Sequence, residues 1–240
     1  MKKIIYILWL QGFDNPPDVV NQCINSWEYY NPSWKIILID NKNLNNYIEF
    51  EEFIDKSLIY DYTALSDIIR ILLLKKYGGL WVDATTFCNK PLDNWLLSFI
   101  KEGFFAFNKP TPDRLLSTWF IYAEKENYII DLWFNQTLQY IKINKKPHTY
   151  FWFHYLFENC YNKDTKFKEI WNNVPKLHAN GLGPHYLQEK GFFNHLNKDI
   201  KENIDNKITP LFKLTYKCKF PHFDENLNLY YLYSSIKKDK

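Results

Sequence analysis

The chain has 240 residues and a mass of 29.2 kDa, enough to bury a substantial core without a disulfide or metal staple. At 46% hydrophobic and 24% charged it is globular rather than disordered, and 7 Gly and 11 Pro exclude collagen-like and linker-rich designs. A net charge of +3, carried almost wholly by Lys, is too small for the basic stripe of a nucleic-acid binder; Arg70 and Arg114 are the two arginines.

In chain order, the run from Ile4 to Leu10 is apolar, β-branched and aromatic, which predicts a strand covered on both faces. Two lysines before it mimic a secretory leader, but the run stops at Gln11 without a small-residue cleavage site, so it reads as a first strand. A loop through Pro16 and Pro17 leads to a helix over 18–30, with Val19, Val20, Cys23, Ile24 and Trp27 on one face. Lys35 to Asp40 is a second strand, and a helix is expected over 48–56. The clearest helix, 62–77, is closed by Gly78-Gly79 and followed by a strand, Leu80 to Thr85. This βαβ alternation predicts an α/β fold with an open, mainly parallel central sheet. Beyond it, strands are expected at 104–107, 117–123 and 208–217, helices at 128–143 and 148–160, and a loop at 180–184. No stretch reaches membrane-spanning length. The cysteines, Cys23, Cys88, Cys160 and Cys218, lack ligand spacing and read as buried thiols of a reducing cytosol.

Chemistry concentrates around the third helix and the strand after it. Leu65, Ile68, Ile69, Leu72 and Leu73 share one face of the helix, yet Ile71 and Leu74 lie opposite, so it is buried on both sides. Asp67 and Arg70 share that second side. A charge pair on a buried helix needs partners. It is either a structural i,i+3 pair or a pair that faces a cleft and holds a polar ligand. Asp83 ends a strand, where open α/β sheets bind ligands; it is either a turn acid or one that meets ribose hydroxyls or a divalent metal.

Ser66-Asp67-Ile-Ile-Arg70 followed by Gly78-Gly79-Leu-Trp-Val-Asp83 resembles the glycosyltransferases whose sugar-binding region carries a DXD motif, family 32 and the clostridial glucosylating toxins among them. The opening through Trp9 and the Ser26-Trp27…Asn31-Pro32 pattern resemble the same group. Asp83-Ala-Thr-Thr-Phe-Cys-Asn-Lys-Pro-Leu, Phe151-Trp-Phe-His-Tyr-Leu-Phe and Lys213-Leu-Thr-Tyr-Lys217 are similar to the bacterial capsular polysaccharide synthesis branch. The resemblance covers most of residues 1–220 and implies a Rossmann-like GT-A fold over 1–240. Residues 1–90 would form a nucleotide-sugar-binding half, 91–225 an acceptor-side half and 226–240 a basic, aromatic tail.

It also implies a retaining hexosyltransferase that takes a UDP- or GDP-sugar to a capsular or other surface glycan, oligosaccharide or lipid-linked. Trp9 would stack on the base, Asp67 and Arg70 would hold sugar hydroxyls, and Asp83 would lie near ribose and a Mn or Mg ion. Family 32 enzymes have a Gly-Pro loop near the donor, which draws in Gly183, Pro184 and His185. Lys213 and Lys217 are candidates to meet the diphosphate charge. The pattern departs at Thr85, which stands where the family has its second acid. A neutral oxygen there should leave the metal weakly bound or dependent on the donor, unless Asp224 or Glu225 folds back to help. His154, in an aromatic helix, reads as a satisfied core histidine. The tail reads as a docked segment, with peripheral contact to the inner face of the membrane as the other option. Two further readings stay open: a non-catalytic sugar-nucleotide or glycan binder, and an effector-type protein glycosyltransferase.

Overall fold

The computed structural model describes residues 1–49 and 61–238. A five-stranded sheet runs through the molecule in the order β2-β1-β3-β6-β5, where β1 is Ile4–Leu8, β2 Lys35–Ile39, β3 Gly79–Asp83, β5 Phe104–Asn108 and β6 Leu116–Ala123. A second, two-stranded sheet pairs β4 (Thr86–Cys88) with β7 (Leu211–Lys213). The helices are α1 (Asp18–Tyr30), α2 (Tyr62–Tyr77), α3 (Tyr128–Asn144), α4 (Trp152–Lys163), α5 (Thr165–Asn173), α6 (Tyr186–Lys190), α7 (Lys198–Asp205) and α8 (Asn228–Lys238).

Strand alternation sorts the layers. Val82 pairs with Phe120 and Trp81 with Ile121, so Phe120 and Trp81 point to opposite faces. Trp27 of α1 stacks on Phe120, with ring centroids 6.5 Å apart. The Arg70 guanidinium of α2 lies over the Trp81 ring at 4.8 Å. Helices α1 and α2 therefore cover opposite faces, as a βαβαβ path requires. Helices α3 and α4 extend the α2 layer, and α8 packs beside α1. Trp27, Trp81 and Trp133 are fully buried, so much of the aromatic content is core. Each such ring contributes about 2–3 kcal/mol on burial.

The expectation of a mainly parallel sheet holds for β2-β1-β3, which pair in parallel; β6 and β5 join them antiparallel. Helices 18–30 and 62–77 form as read, α2 being capped by the Asp61 carboxylate on the Ala64 amide. The helix expected from 148 begins at Trp152, because Lys145 in the left-handed region and Pro147 keep the chain in a turn. The late strand shrinks from 208–217 to Leu211–Lys213, since its partner β4 has three residues to offer. Of the helix expected over 48–56, Ile48 and Glu49 take no regular form and the rest lies outside the described residues. Cys23, Cys88 and Cys160 are buried free thiols, whereas Cys218 is partly exposed.

Candidate active site

A cleft of about 840 Å³ opens at the carboxyl ends of β1 and β3. Trp9, just past β1, and Asp83, the last residue of β3, both line it. This is where an open α/β sheet has room for a ligand, because the chain leaves neighbouring strands in different directions.

The turn between α2 and β3 fixes the chemistry. Gly78 sits at φ 63°, and a Cβ there would lie 2.5 Å from the Lys125 amide nitrogen, so only glycine fits. From Arg70 to Gly78 the helix rises about 12 Å, and the strand returns about 13 Å from Gly79 to Asp83. The thirteen-residue separation thus places Arg70 level with Asp83. One terminal nitrogen of Arg70 donates to Asp67 Oδ1, and the other lies 3.1 Å from Asp83 Oδ1. Trp81 Nε1 also donates to Asp83 Oδ1, at 3.1 Å. The Arg70 side chain is 4% exposed and rests between the Trp81 and Phe153 rings.

A second cation arrives from 128 residues beyond Thr85. In the β4–β7 ladder Lys213 pairs with Thr86, its amide donates to Pro184 O at 2.8 Å, and the Leu214 amide donates to Thr85 O at 2.8 Å. The ammonium then reaches Thr85 Oγ1 at 2.7 Å and Asp83 Oδ2 at 3.3 Å. Burial pushes the Asp83 carboxyl up, but Lys213 and then Arg70 outweigh it and hold it below the usual carboxylate range. Asp67 is different. Burial dominates over its ion pair with Arg70 and raises it to about 6.

The metal implied by the resemblance would need these same oxygens. Both carboxylate oxygens of Asp83 already face cations, and the Thr85 hydroxyl is held by Lys213. Among the described residues no group of three or more His, Cys, Asp or Glu is placed to hold an ion. Asp224 accepts from Asn226 and Glu225 from Ser234, and neither lines the cleft. Hard divalent cations bind mainly through charged oxygens, so this donor set does not fit a resident divalent ion.

The remaining expected residues divide. Trp9 is half-buried, with Tyr216 set edge-on against it at 5.1 Å and 88°. His185 and Lys217 line the cleft; His185 Nδ1 lies 2.9 Å from Asn180 Oδ1. Asp67, expected to hold sugar hydroxyls, does not line the cleft but sits behind Arg70, to which it is paired. Gly183 and Pro184 stand behind the wall. A Cβ on Gly183 would fall 2.1 Å from His178 O, and Pro184 anchors the Lys213 backbone.

A family model described as capsular polysaccharide synthesis protein matches residues 1–234. The chain belongs to this family. Among curated proteins it is similar to an O-glycosyltransferase of Annulohypoxylon truncatum, 26% identical over 151 residues, covering 55% of this chain and 36% of that protein. It is also similar to an uncharacterised glycosyltransferase of Acanthamoeba polyphaga mimivirus, 30% identical over 108 residues, covering 42% of this chain and 41% of that one. The chain thus spans well under half the length of these two relatives. Among solved structures it resembles the PaToxG glycosyltransferase, with a TM-score of 0.48 and 16% identity over 98% of this chain and 86% of that one. It also resembles the catalytic domain of Clostridium novyi alpha-toxin, with a TM-score of 0.40 and 12% identity over 76% of this chain and 68% of that one.

In this capsular polysaccharide synthesis family member the cleft also holds residues to which the sequence reading gave no site role. His154 lines it rather than filling the core, with Nε2 3.3 Å from Thr118 Oγ1 and Nδ1 unpartnered. Burial, with Arg70 and Arg114 nearby, pushes its ring down to about 3, so it is neutral. Arg114 stacks on Phe151 at 3.8 Å, and both line the cleft. Ser117 Oγ and Arg70 Nε are further buried polar atoms without a protein partner. The scarcity of arginine and the Phe-Trp-Phe-His segment were the available signals. The contact between them spans 37 residues, and neither periodicity nor local spacing reports that.

Proposed function

We propose that the cleft is the active site of a retaining glycosyltransferase of GT-A type. It moves a hexose from a UDP- or GDP-sugar to a surface-polysaccharide acceptor such as a capsular glycan. The observation that carries this reading is the Arg70–Asp83–Lys213 array at the end of β3, set in a predominantly cationic cleft. Arg70, Arg114, Lys213 and Lys217 line it against Asp83 and Glu189, which suits a doubly charged diphosphate. Ser117 and His154, which line the cleft with Arg70, add polar side chains suited to sugar hydroxyls.

The residues divide the work. Trp9 offers a ring to the nucleobase, as the family resemblance implies. Asp67 positions Arg70, and Arg70 with Asp83 holds ribose or sugar hydroxyls through charge-assisted hydrogen bonds. The bond from the sugar's anomeric carbon to the β-phosphate oxygen breaks, and its electron pair stays on that oxygen. The acceptor oxygen attacks from the same face, and its proton passes to the leaving phosphate. Preorganised cations stabilise the charge that develops there. No helix among the described residues is long and apolar enough to cross a membrane. The free cysteines suit a reducing compartment, and we place the reaction on the cytoplasmic side.

The test is a panel of nucleotide sugars, assayed for donor hydrolysis and for transfer to glycan acceptors, with Asp83→Asn beside the wild type. Turnover of one donor that Asp83→Asn abolishes is expected. Binding without turnover would instead assign a sugar-nucleotide binding protein, and wild-type rates in Asp83→Asn would overturn the site.

A further inference from the structure

The cation that a DXD-type site borrows from solution is built into this chain. We propose that the Lys213 ammonium is the resident counter-charge of Asp83 and the electrostatic anchor of the donor diphosphate, so that donor binding needs no divalent metal. The proposal rests on the nucleotide-sugar reading of the cleft.

Three observations converge on it. The first is position. Lys213 Nζ touches Thr85 Oγ1 at 2.7 Å and Asp83 Oδ2 at 3.3 Å. These are the side chains of the first and third positions of the motif, the two that would otherwise present oxygens to an ion. An ammonium has three donors. Thr85 and Asp83 take two, which leaves the third for an anion in the cleft that Lys213 lines.

The second is how firmly the group is held. Its backbone is clamped from both sides, by the Pro184 carbonyl on its own amide and by the Thr85 carbonyl on the next. The Lys213 side chain is 18% exposed, so the charge is fixed in place rather than sweeping through solvent. Fixed charge costs no reorganisation when the phosphate charge develops.

The third is stoichiometry of charge. With Asp83 between Arg70 and Lys213, a divalent ion on its carboxylate would bring two more positive charges against two existing cations. Thr85 adds no negative charge to offset that. The substitution of a hydroxyl for the second acid thus has a structural counterpart. A second carboxylate would compete for Lys213, whereas a hydroxyl accepts from it and stays neutral.

The test is calorimetric titration of UDP, GDP, dTDP and ADP into the whole protein, once with EDTA and once with Mn²⁺. The wild type is expected to bind one of these diphosphates in EDTA, with an affinity that Mn²⁺ leaves unchanged. Lys213→Gln keeps a donor for Thr85 and loses the charge, and should weaken that binding in EDTA by about ten- to a hundredfold. Lys213→Arg should retain most of it. Wild-type binding that appears only with Mn²⁺, or Lys213→Gln binding as the wild type does, would overturn the proposal while leaving the glycosyltransferase reading in place. Absence of binding to all four under both conditions would overturn both. Circular dichroism and the melting temperature monitor folding of the variants. The comparison of EDTA with Mn²⁺ decides the metal question on the wild type alone should Lys213→Gln fail to fold.

Discussion

Arg70 has its two terminal nitrogens committed to different acids, Asp67 behind it and Asp83 in front. A planar guanidinium can span both at fixed geometry, and an ammonium cannot. Arg70→Lys is therefore expected to lose about tenfold or more in kcat/KM although the charge is kept. Melting temperature and kinetics measured together decide the point. A purely structural pair would lose stability and keep its rate. Asp67 sets a pH dependence. Its carboxyl stands at about 6 in the folded protein, burial outweighing Arg70, against about 4 when unfolded. Above 6 it is charged in both states, and holding it charged inside the fold costs stability. As pH falls through 6 the folded form takes up a proton first, so this cost is relieved between 6 and 4. Activity runs the other way, because protonated Asp67 no longer pairs with Arg70. We expect kcat/KM to fall as pH drops through about 6, and Asp67→Asn, slower throughout, to lose that limb. A wild-type profile flat from 5 to 7 would sink the assignment.

At the scale of elements, two devices build the site, and they differ in how visible they are in the sequence. The α2–β3 hairpin is local. Its periodicity, its Gly78-Gly79 stop and its acid-ended strand lie within 22 residues, so Arg70 and Asp83 were legible as members of one site, though not as direct partners. The β4–β7 ladder is not. Each strand has three residues, too short for a periodic signal, and the pairing joins Thr86 to Lys213 across the chain. Lys213 could be named as a cation near a diphosphate, but not as the partner of Thr85 and Asp83. The ladder makes a directional prediction. Thr85→Asp alone should form an ion pair with Lys213 and bind Mn²⁺ no better than the wild type. Thr85→Asp combined with Lys213→Ala leaves two acids facing the cleft, and should bind Mn²⁺ about tenfold or more tightly than either single variant. Titration of Mn²⁺ into each apo protein reads this, and equal affinities across the set would refute the role given to the ladder.

Across the whole molecule, the abundance of rings has two outlets. Most stack in the core, as with Trp95, Phe105, Phe107 and Phe120, and a minority, Trp9, Phe151 and Tyr216 among them, reach the cleft. Composition could not separate them, because a ring that floors a groove and a ring that fills a core carry the same apolar area. The tail shows the same ambiguity settled by packing. Tyr230, Tyr231 and Tyr233 are buried, and Tyr233 stacks on Phe87 of β4 at 6.1 Å. These tyrosines face the protein and are not free for a membrane surface. The antiparallel β5–β6 pair escaped the sequence reading for a related reason. Both strands are buried along their full length, so neither alternates in polarity, and an unalternating run does not reveal its direction.

The span between Thr85 and Lys213 also has a meaning in time. Chains emerge from the ribosome at about 5–20 residues per second, so the lysine follows the threonine by roughly 6–26 s. Throughout that interval β4 lacks β7, and Asp83 has Arg70 beside it without Lys213. The nascent N-terminal half must therefore wait, competent in its sheet and unfinished in its charge. Ribosome-stalled chains truncated near residue 130 should be cut by protease in the 84–90 segment, and chains that have extruded residue 220 should be protected there. Equal protection in both would mean that the first half closes without its distant strand.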